Sequence, residues 1–257
     1  MDSMIHNHFL VPERVSVVGP GRLGGALVTA LRVAGLQVTG PHGRGDPAAP
    51  ADAVLLCVPD AEIEAAALAT AGAAPLIGHT SGATGLDALT AAGGEAFGLH
   101  PLQTFVGGEG LEAFSCVGCA VAGTSPGALA AARGLAAALA MRTFELADSD
   151  RPAYHAAASI ASNFLVTLEH AAEQVAAGAG LEASEARDLL APLVRSTVGN
   201  WAAGGPERAL TGPVARGDGE TVERQRAAVA ESAPDFLALF DAMVERTQAL
   251  SAPGVAA

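Results

Sequence analysis

An open α/β sheet followed by an all-helical domain is the fold this 257-residue sequence predicts. Three observations carry it. As far as Leu146, short apolar runs alternate with alanine-rich helical windows, the pattern of a mainly parallel, doubly wound sheet with helices on both faces. A glycine-rich turn joins the first run to the first window. Beyond Asp148 strand signals stop and helical windows follow one another. The boundary is therefore expected near 146–150, giving domains of 1–148 and 149–257.

The strands are expected in "RVSVVG", "LQVTG", "AVLLCVP", "PLIGHTSG", "EAFGLHP", "CVGCAVAG" and "RTFEL". Between them, helices are expected over Leu23–Ala34, "DAEIEAAALATAG", Gly85–Ala92 and Pro126–Ala140. In the second half the windows are Arg151–Ala177, Glu182–Ala203, Glu220–Ala230 and Pro234–Leu250. The Gly/Pro-rich loop "GGPERALTGPVARGDG" interrupts them.

Composition excludes some partners. A net charge of -13 argues against nucleic acid, whose phosphates demand a basic surface. Mean hydropathy is +0.35, but alanine supplies most of it and no apolar run is long enough to span a bilayer. The start, "MDSMIHNHFLVPE", lacks a basic segment followed by an apolar one, so it reads as a ragged lead-in rather than a secretory signal. A soluble, cytoplasmic protein is expected. Cys57 reads as a small core residue. Cys116 and Cys119 have C-x-x-C spacing, yet no second pair exists, and on a strand they would face opposite ways.

The turn "VSVVGPGRLGGAL" matches G-x-G-x-x-G at Gly19, Gly21 and Gly24, with a strand before it and a helix after it. Gly19 permits the tight turn, Gly21 lets backbone approach a pyrophosphate, and Gly24 lets helix and strand pack closely. Arg22 and Leu23 open the helix whose N-terminus would face the phosphates. The plain alternative is a turn that uses glycine for backbone reasons only. An NAD site usually places an acid at the end of the second strand. Here "VTGPHGRGD" puts Gly40 there, followed by His42 and Arg44. A guanidinium beside the ribose suits a 2′-phosphate, so NADP(H) is the expected cofactor, unless Arg44 is simply a solvated loop charge. Ligands of such sheets gather at the carboxyl ends of strands. Val58 and Pro59, His79 and Ser81, and His100 and Gln103 fall there and are expected to border cofactor and substrate.

The stretch "YHAAASIASNFLVTLEH" is an apolar helix carrying His155, Ser159 and Asn163 every four residues. That spacing stacks them on one face about 6 Å apart. The whole arrangement resembles the 6-phosphogluconate dehydrogenase-like superfamily. "HTSG", "HPLQTF", "YHAAASIASNFLVTL" and "ALTGPVARGD" more closely resemble the Rossmann-like proteins with a DUF2520 helical domain. In ketopantoate reductase, a member of that superfamily, the first long helix offers Lys, Asn and Asn at this spacing. The resemblance places the same pattern on His155, Ser159 and Asn163, with histidine in place of lysine. An imidazolium can protonate an alkoxide, and Ser159 and Asn163 can orient the carbonyl; the alternatives are a buried network tying helices together or a face that simply meets water. In "ALTGPVARGD", Thr211 is a hydroxyl contact and Arg216 a clamp for a substrate carboxylate, or Arg216 pairs locally with Asp218. The implied activity is NADPH-dependent reduction of a small anionic carbonyl acid, 2-dehydropantoate to pantoate in its most specific form. Imine reduction of the pyrroline-5-carboxylate type and a non-catalytic NADP-binding regulator are the alternatives. Alanine-rich helical faces permit a homodimer.

Overall fold

The computed structural model describes residues 11–251; most of the lead-in expected at the N-terminus lies outside them. Seven strands form one sheet: β1 (Arg14–Val18), β2 (Gln37–His42), β3 (Ala53–Leu56), β4 (Leu76–His79), β5 (Glu95–Pro101), β6 (Gly118–Gly123) and β7 (Arg142–Glu145). Their order is β2-β1-β3-β4-β5-β6-β7. The first five are parallel. β6 then runs antiparallel to β5, and β7 parallel to β6. No helix long enough to carry the chain back across the sheet separates β5 from β6, and an antiparallel neighbour needs none.

Alternation along each strand fills two cores. Val15 and Val17, Ala53 and Leu55, and Phe97 and Leu99 join one. Val18, Val54, Leu56 and Ala96 join the other. Helices α1 (Arg22–Val33) and α3 (Pro126–Ala138) cover the first face, with Leu27, Leu31, Ala132 and Leu135 fully buried. α2 (Ile63–Ala69) and the 3-10 segment Leu86–Ala92 cover the second through Ile63, Ala67 and Leu89. A sheet buried on both faces explains why its strands read as nearly continuous apolar runs. The window expected as a helix over Gly85–Ala92 is a 3-10 segment, ended by Gly93 at φ 74°. Cys116 lies outside its expected strand, exposed and at φ 63°, whereas Cys119 is buried in β6.

Helices α4 (Arg151–Ala161), α5 (Asn163–Gly178), α6 (Ala183–Ala209), α7 (Gly219–Ser232) and α8 (Leu237–Ser251) follow. α6 is interrupted at Gly205, whose φ is 72°. The chain divides into two compact units, one ending at Ser162 and the next beginning at Asn163. The single helix expected over Arg151–Ala177 is thus two, parted at Ser162 (φ -121°, ψ -73°). Ser162 and Asn163 are residues whose side chains compete with the backbone for hydrogen bonds. The contact boundary lies one helix beyond the expected 148, because α4 belongs with the sheet: Arg151 is buried there and Tyr154 hydrogen-bonds to β5.

Within the helical unit, Gly178 of α5 meets α7 so closely that a Cβ there would lie 2.4 Å from the Cβ of Ser232. Arg187 pairs with Glu173 at 2.7 Å, and Arg226 with Asp241 at 2.8 Å. Yet among its described residues only Ala186, Val229 and Ala233 are buried apolar side chains. No helix among the described residues is long and apolar enough to cross a membrane.

Candidate functional site

The five parallel strands end on one edge of the sheet, and the loops leaving those ends build the site. Between β1 and α1 the three glycines differ in surroundings. A Cβ on Gly19 (φ 109°) would lie 2.2 Å from the Cys57 carbonyl oxygen, and one on Gly24 would lie 2.0 Å from the Gly19 oxygen. Neither position accepts a side chain. Gly21 has nothing among the described residues within 4 Å of its Cβ direction. It is the N-cap of α1 and no side chain caps that end, so the first N–H groups of the helix are left to an outside acceptor. The turn is anchored by Gly19 N–H donating to the His42 carbonyl at 2.8 Å. Packed glycines flanking an open one suit a bound pyrophosphate: the open residue admits close approach while the others hold the turn. Arg22 is exposed and Leu23 is half-buried against the core.

At the end of β2 an acid is physically excluded. Gly40 has φ 98°, and its Cβ would fall 2.3 Å from the Val17 oxygen. Beyond it His42 lies 3.5 Å from the Thr39 hydroxyl. Asp46 turns inward and accepts the Gly43 N–H at 2.9 Å, closing the turn. Arg44 is 83% exposed and pairs with Glu62 at 2.6 Å. Such an exposed pair is worth little, so the guanidinium is free to exchange its partner.

The β3 and β4 loops are more structural than the sequence alone showed. Val58 packs against the second core beside Gly19, and Pro59 is exposed where a 3-10 turn begins. His79 is fully buried, with Ser81 N–H donating to its Nδ1 at 3.2 Å and Nε2 lying 3.3 Å from the Gly85 carbonyl. Both ring nitrogens are thereby engaged in shaping this loop, and burial lowers the imidazole's proton affinity. The Ser81 hydroxyl accepts the Ala83 and Thr84 N–H groups. Neither side chain presents a polar atom that the loop does not already use.

His100 and an unanticipated residue form the next feature. His100 Nδ1 lies 2.7 Å from the hydroxyl of Tyr154, the only tyrosine in the chain. The rings meet edge to face, and Phe144 meets Tyr154 on another side. Gly82 lies flat against the imidazole; a Cβ there would sit 2.8 Å from Cε1. Burial first, then the nearby His155 and Arg151 charges, depress the His100 pKa to about 4. Burial raises that of Tyr154 to about 12. At neutral pH both are therefore uncharged. Gln103 is exposed and folds back on its loop, its Oε1 accepting the Thr104 N–H at 2.8 Å.

Arg151 fastens α4 to this edge. Only 3% exposed, it donates through Nε to Asp148 at 2.6 Å and through Nη1 to the Ser81 carbonyl at 3.3 Å. Asp148 also accepts the Leu86 N–H at 3.3 Å. Burial opposes ionisation of Asp148, but the Arg151 and Leu86 hydrogen bonds and the guanidinium charge outweigh it and hold the carboxyl below its ordinary pKa. His155 is exposed and Ser159 half-buried on the same helix. Asn163, Thr211 and Arg216 belong to the helical unit and are all exposed there. Arg216 makes no salt bridge among the described residues; Asp218, its expected local partner, caps α7 by accepting the Thr221 N–H. In that unit α5 and α6 enclose a groove lined by Leu165, Val166, His170, Leu190, Val194 and Arg195.

A two-face-covered sheet with an open glycine at its first strand-to-helix turn defines a dinucleotide-fold protein of the Rossmann type. Residues 117–247, just over half of the chain, match the family model "Domain of unknown function (DUF2520)", and the chain belongs to that family. Solved structures share the fold. A Bacteroides fragilis protein, provisionally named an NADP oxidoreductase, is 18% identical with a TM-score of 0.79, covering 92% of this chain and 98% of that one. An Aspergillus terreus reductive aminase in complex with NADPH and ethyl levulinate is also 18% identical, with a TM-score of 0.63 and coverage of 93% and 98%. A Plasmodium falciparum pyrroline carboxylate reductase with NADP bound is 10% identical, with a TM-score of 0.59 and the same coverage. No curated protein matches the chain.

Proposed function

We propose that this protein is an NADP(H)-dependent reductase of a small, anionic carbonyl or imine substrate. The observation that carries the reading is the β1–α1 turn, packed at Gly19 and Gly24 and open at Gly21. Gly21 and the start of α1 at Arg22 and Leu23 would hold the pyrophosphate. His42 and Arg44 would hold the 2′-phosphate where Gly40 leaves no room for an acid. When bound, the reduced nicotinamide supplies a hydride to the substrate carbon. The chain's part is to orient the substrate and to deliver a proton to its heteroatom. Helix α4, held at the carboxyl edge by Arg151, is the element we assign to that work, with exposed His155 and Ser159 available to the substrate. Asn163, Thr211 and Arg216, exposed in the helical unit, are proposed as groups able to bind a carbonyl or carboxylate.

The most specific form of the reading is reduction of 2-dehydropantoate. Imine reduction is the second, favoured by the likeness to the reductive aminase and to pyrroline carboxylate reductase. A homodimer fits the helical unit, where Phe164, Val166, Leu189, Leu193 and Trp201 stand exposed and so few apolar groups are buried. A reduced cofactor and three free cysteines fit the cytoplasm.

The test is NADPH oxidation followed by absorbance with 2-dehydropantoate, pyrroline-5-carboxylate and related oxoacids and imines. Turnover with one member and tighter binding of NADPH than NADH support the reading. Preference for NADH removes the role given to Arg44, and tight binding without oxidation across the panel makes the protein a nucleotide-binding regulator instead.

A further inference from the structure

We propose that Tyr154, positioned by His100, is the acid that protonates the substrate heteroatom. This rests on the reductase reading and places the donor one residue before His155. The two neighbours on α4 have opposite circumstances. His155 is exposed, whereas Tyr154 turns toward the sheet, where its hydroxyl meets His100 Nδ1 at 2.7 Å. Two edge-to-face ring contacts, with His100 and Phe144, fix the phenol. A proton donor needs its acidic atom held in place, and only one of the pair has that.

The place is also right. β4 ends at His79, whose partner on β5 is Gly98. His100 therefore stands two residues beyond the last position paired with β4, on the rim where ligands of parallel sheets bind, while its other edge pairs with Ala120 of β6. Three inter-strand steps, from β1 through β3 and β4 to β5, separate this rim from the open turn; at the usual strand spacing that is about 14 Å. The end of β2, on the opposite side of β1, is the 2′-phosphate side. A dinucleotide bound across the switch point thus extends its other half toward β5.

The proton bookkeeping closes. As hydride adds to the substrate carbon, the C=O or C=N π pair moves to the heteroatom, which takes the proton of Tyr154 Oη. The O–H bond breaks and a tyrosinate remains. His100, in the tautomer that carries hydrogen on Nδ1, donates to that oxygen, and the Arg151 charge favours the anion. Solvent returns the proton afterwards. A neutral phenol of high pKa is the suitable acid for an alkoxide, which is more basic still. The titratable groups that bear on the pair are His155, Arg151, His79 and Asp60, with Cys119 nearby.

Because the chain has a single tyrosine, isotope labelling at Cζ gives one NMR resonance that reports this hydroxyl in the intact protein. NADP+ should shift that resonance, NADPH should move it to a different position, and 2′,5′-ADP, which lacks the nicotinamide, should leave it in place. If both cofactors bind and the resonance stays still, Tyr154 is not beside the nicotinamide and the proposal is overturned while the nucleotide site stands. If neither binds, the reductase reading falls and takes the proposal with it. With a substrate in hand, Tyr154→Phe should lower kcat by roughly a hundredfold or more at unchanged KM for NADPH, and His155→Ala by far less. His100→Asn, which keeps an N–H near the hydroxyl, should retain most activity that His100→Phe loses. Equal loss in Tyr154→Phe and His155→Ala would return the donor role to the histidine.

Discussion

Asp148 and Arg151 make a pair whose members should respond very unequally to removal. The Arg151 side chain is 4% exposed and that of Asp148 is 52% exposed. In Asp148→Ala the guanidinium stays buried, with only the Ser81 carbonyl as hydrogen-bond acceptor and no counter-charge. Breaking a buried pair in this way costs about 3–5 kcal/mol. The lower end, about 3, applies because water reaches the vacated carboxylate position. In Arg151→Met the buried charge disappears, the carboxylate turns to water, and an apolar side chain fills the space. That costs about 1 kcal/mol. The double variant should cost no more than Arg151→Met alone to within about 0.5 kcal/mol, exposing a coupling of about 2–3 kcal/mol. Urea unfolding followed by the near-ultraviolet circular dichroism of Tyr154, on the same helix, measures each. For a unit of this size Asp148→Ala should also lower Tm by roughly 6–12 °C. Asp148 is held below its ordinary pKa, so its contribution is present above the unfolded carboxylate pKa and fades as pH falls through the folded one. The penalty of Asp148→Ala should shrink accordingly in acid. An Arg151→Met variant as damaged as Asp148→Ala would refute this account of the pair.

The glycine turn predicts a separation of stability from binding: Gly24→Ala should destabilise by about 1–3 kcal/mol through overpacking against the Gly19 oxygen, while Gly21→Ala should leave the urea midpoint nearly unchanged and weaken NADPH binding in a fluorescence titration. His100 enters the folded state with its pKa lowered to about 4. The unfolded chain therefore takes up a proton near pH 6.5 that the folded one refuses, and stability should fall by about 3 kcal/mol between pH 6.5 and 4; His100→Asn should flatten that slope, as guanidinium unfolding at several pH values would show. Ser16 is fully buried in β1 and its hydroxyl has no hydrogen-bond partner among the described residues. Ser16→Ala should stabilise by about 1 kcal/mol in the same assay; a loss of stability would mean that the hydroxyl has a partner after all.

What the sequence revealed, and what it hid, follows from the range of the forces involved. Strand positions, the glycine turn and the missing acid at Gly40 are local matters of periodicity and backbone sterics, and their signals lie within a few residues of the structures they cause. His79 and Ser81 illustrate the first limit. The motif "HTSG" looks the same whether its polar atoms face a ligand or one another, and only the folded loop shows that they face one another. The window Arg151–Ala177 illustrates a second. Its four-residue polar spacing presumes an unbroken helix, but Ser162 parts it, so His155 and Ser159 belong to one unit and Asn163 to the other.

Tyr154 shows why a site residue can be missed in full view. The seam through His155, Ser159 and Asn163 selects one face of α4, and Tyr154, one residue earlier, points about 100° away from it. Its partner lies 54 residues upstream on β5, two residues past the end of that strand's pairing with β4. Gly82, on the loop after β4, then has to be glycine for the ring to fit. Two distant segments, β5 through His100 and β7 through Phe144, converge on one phenol at the start of α4, and the β4 loop packs Gly82 on the His100 ring. The strongest argument for attention to Tyr154 is thus the convergence itself. A surface tyrosine serving only to cover apolar area would need the Phe144 contact but not the hydrogen bond. In that case Tyr154→Phe would be neutral for stability and for turnover alike.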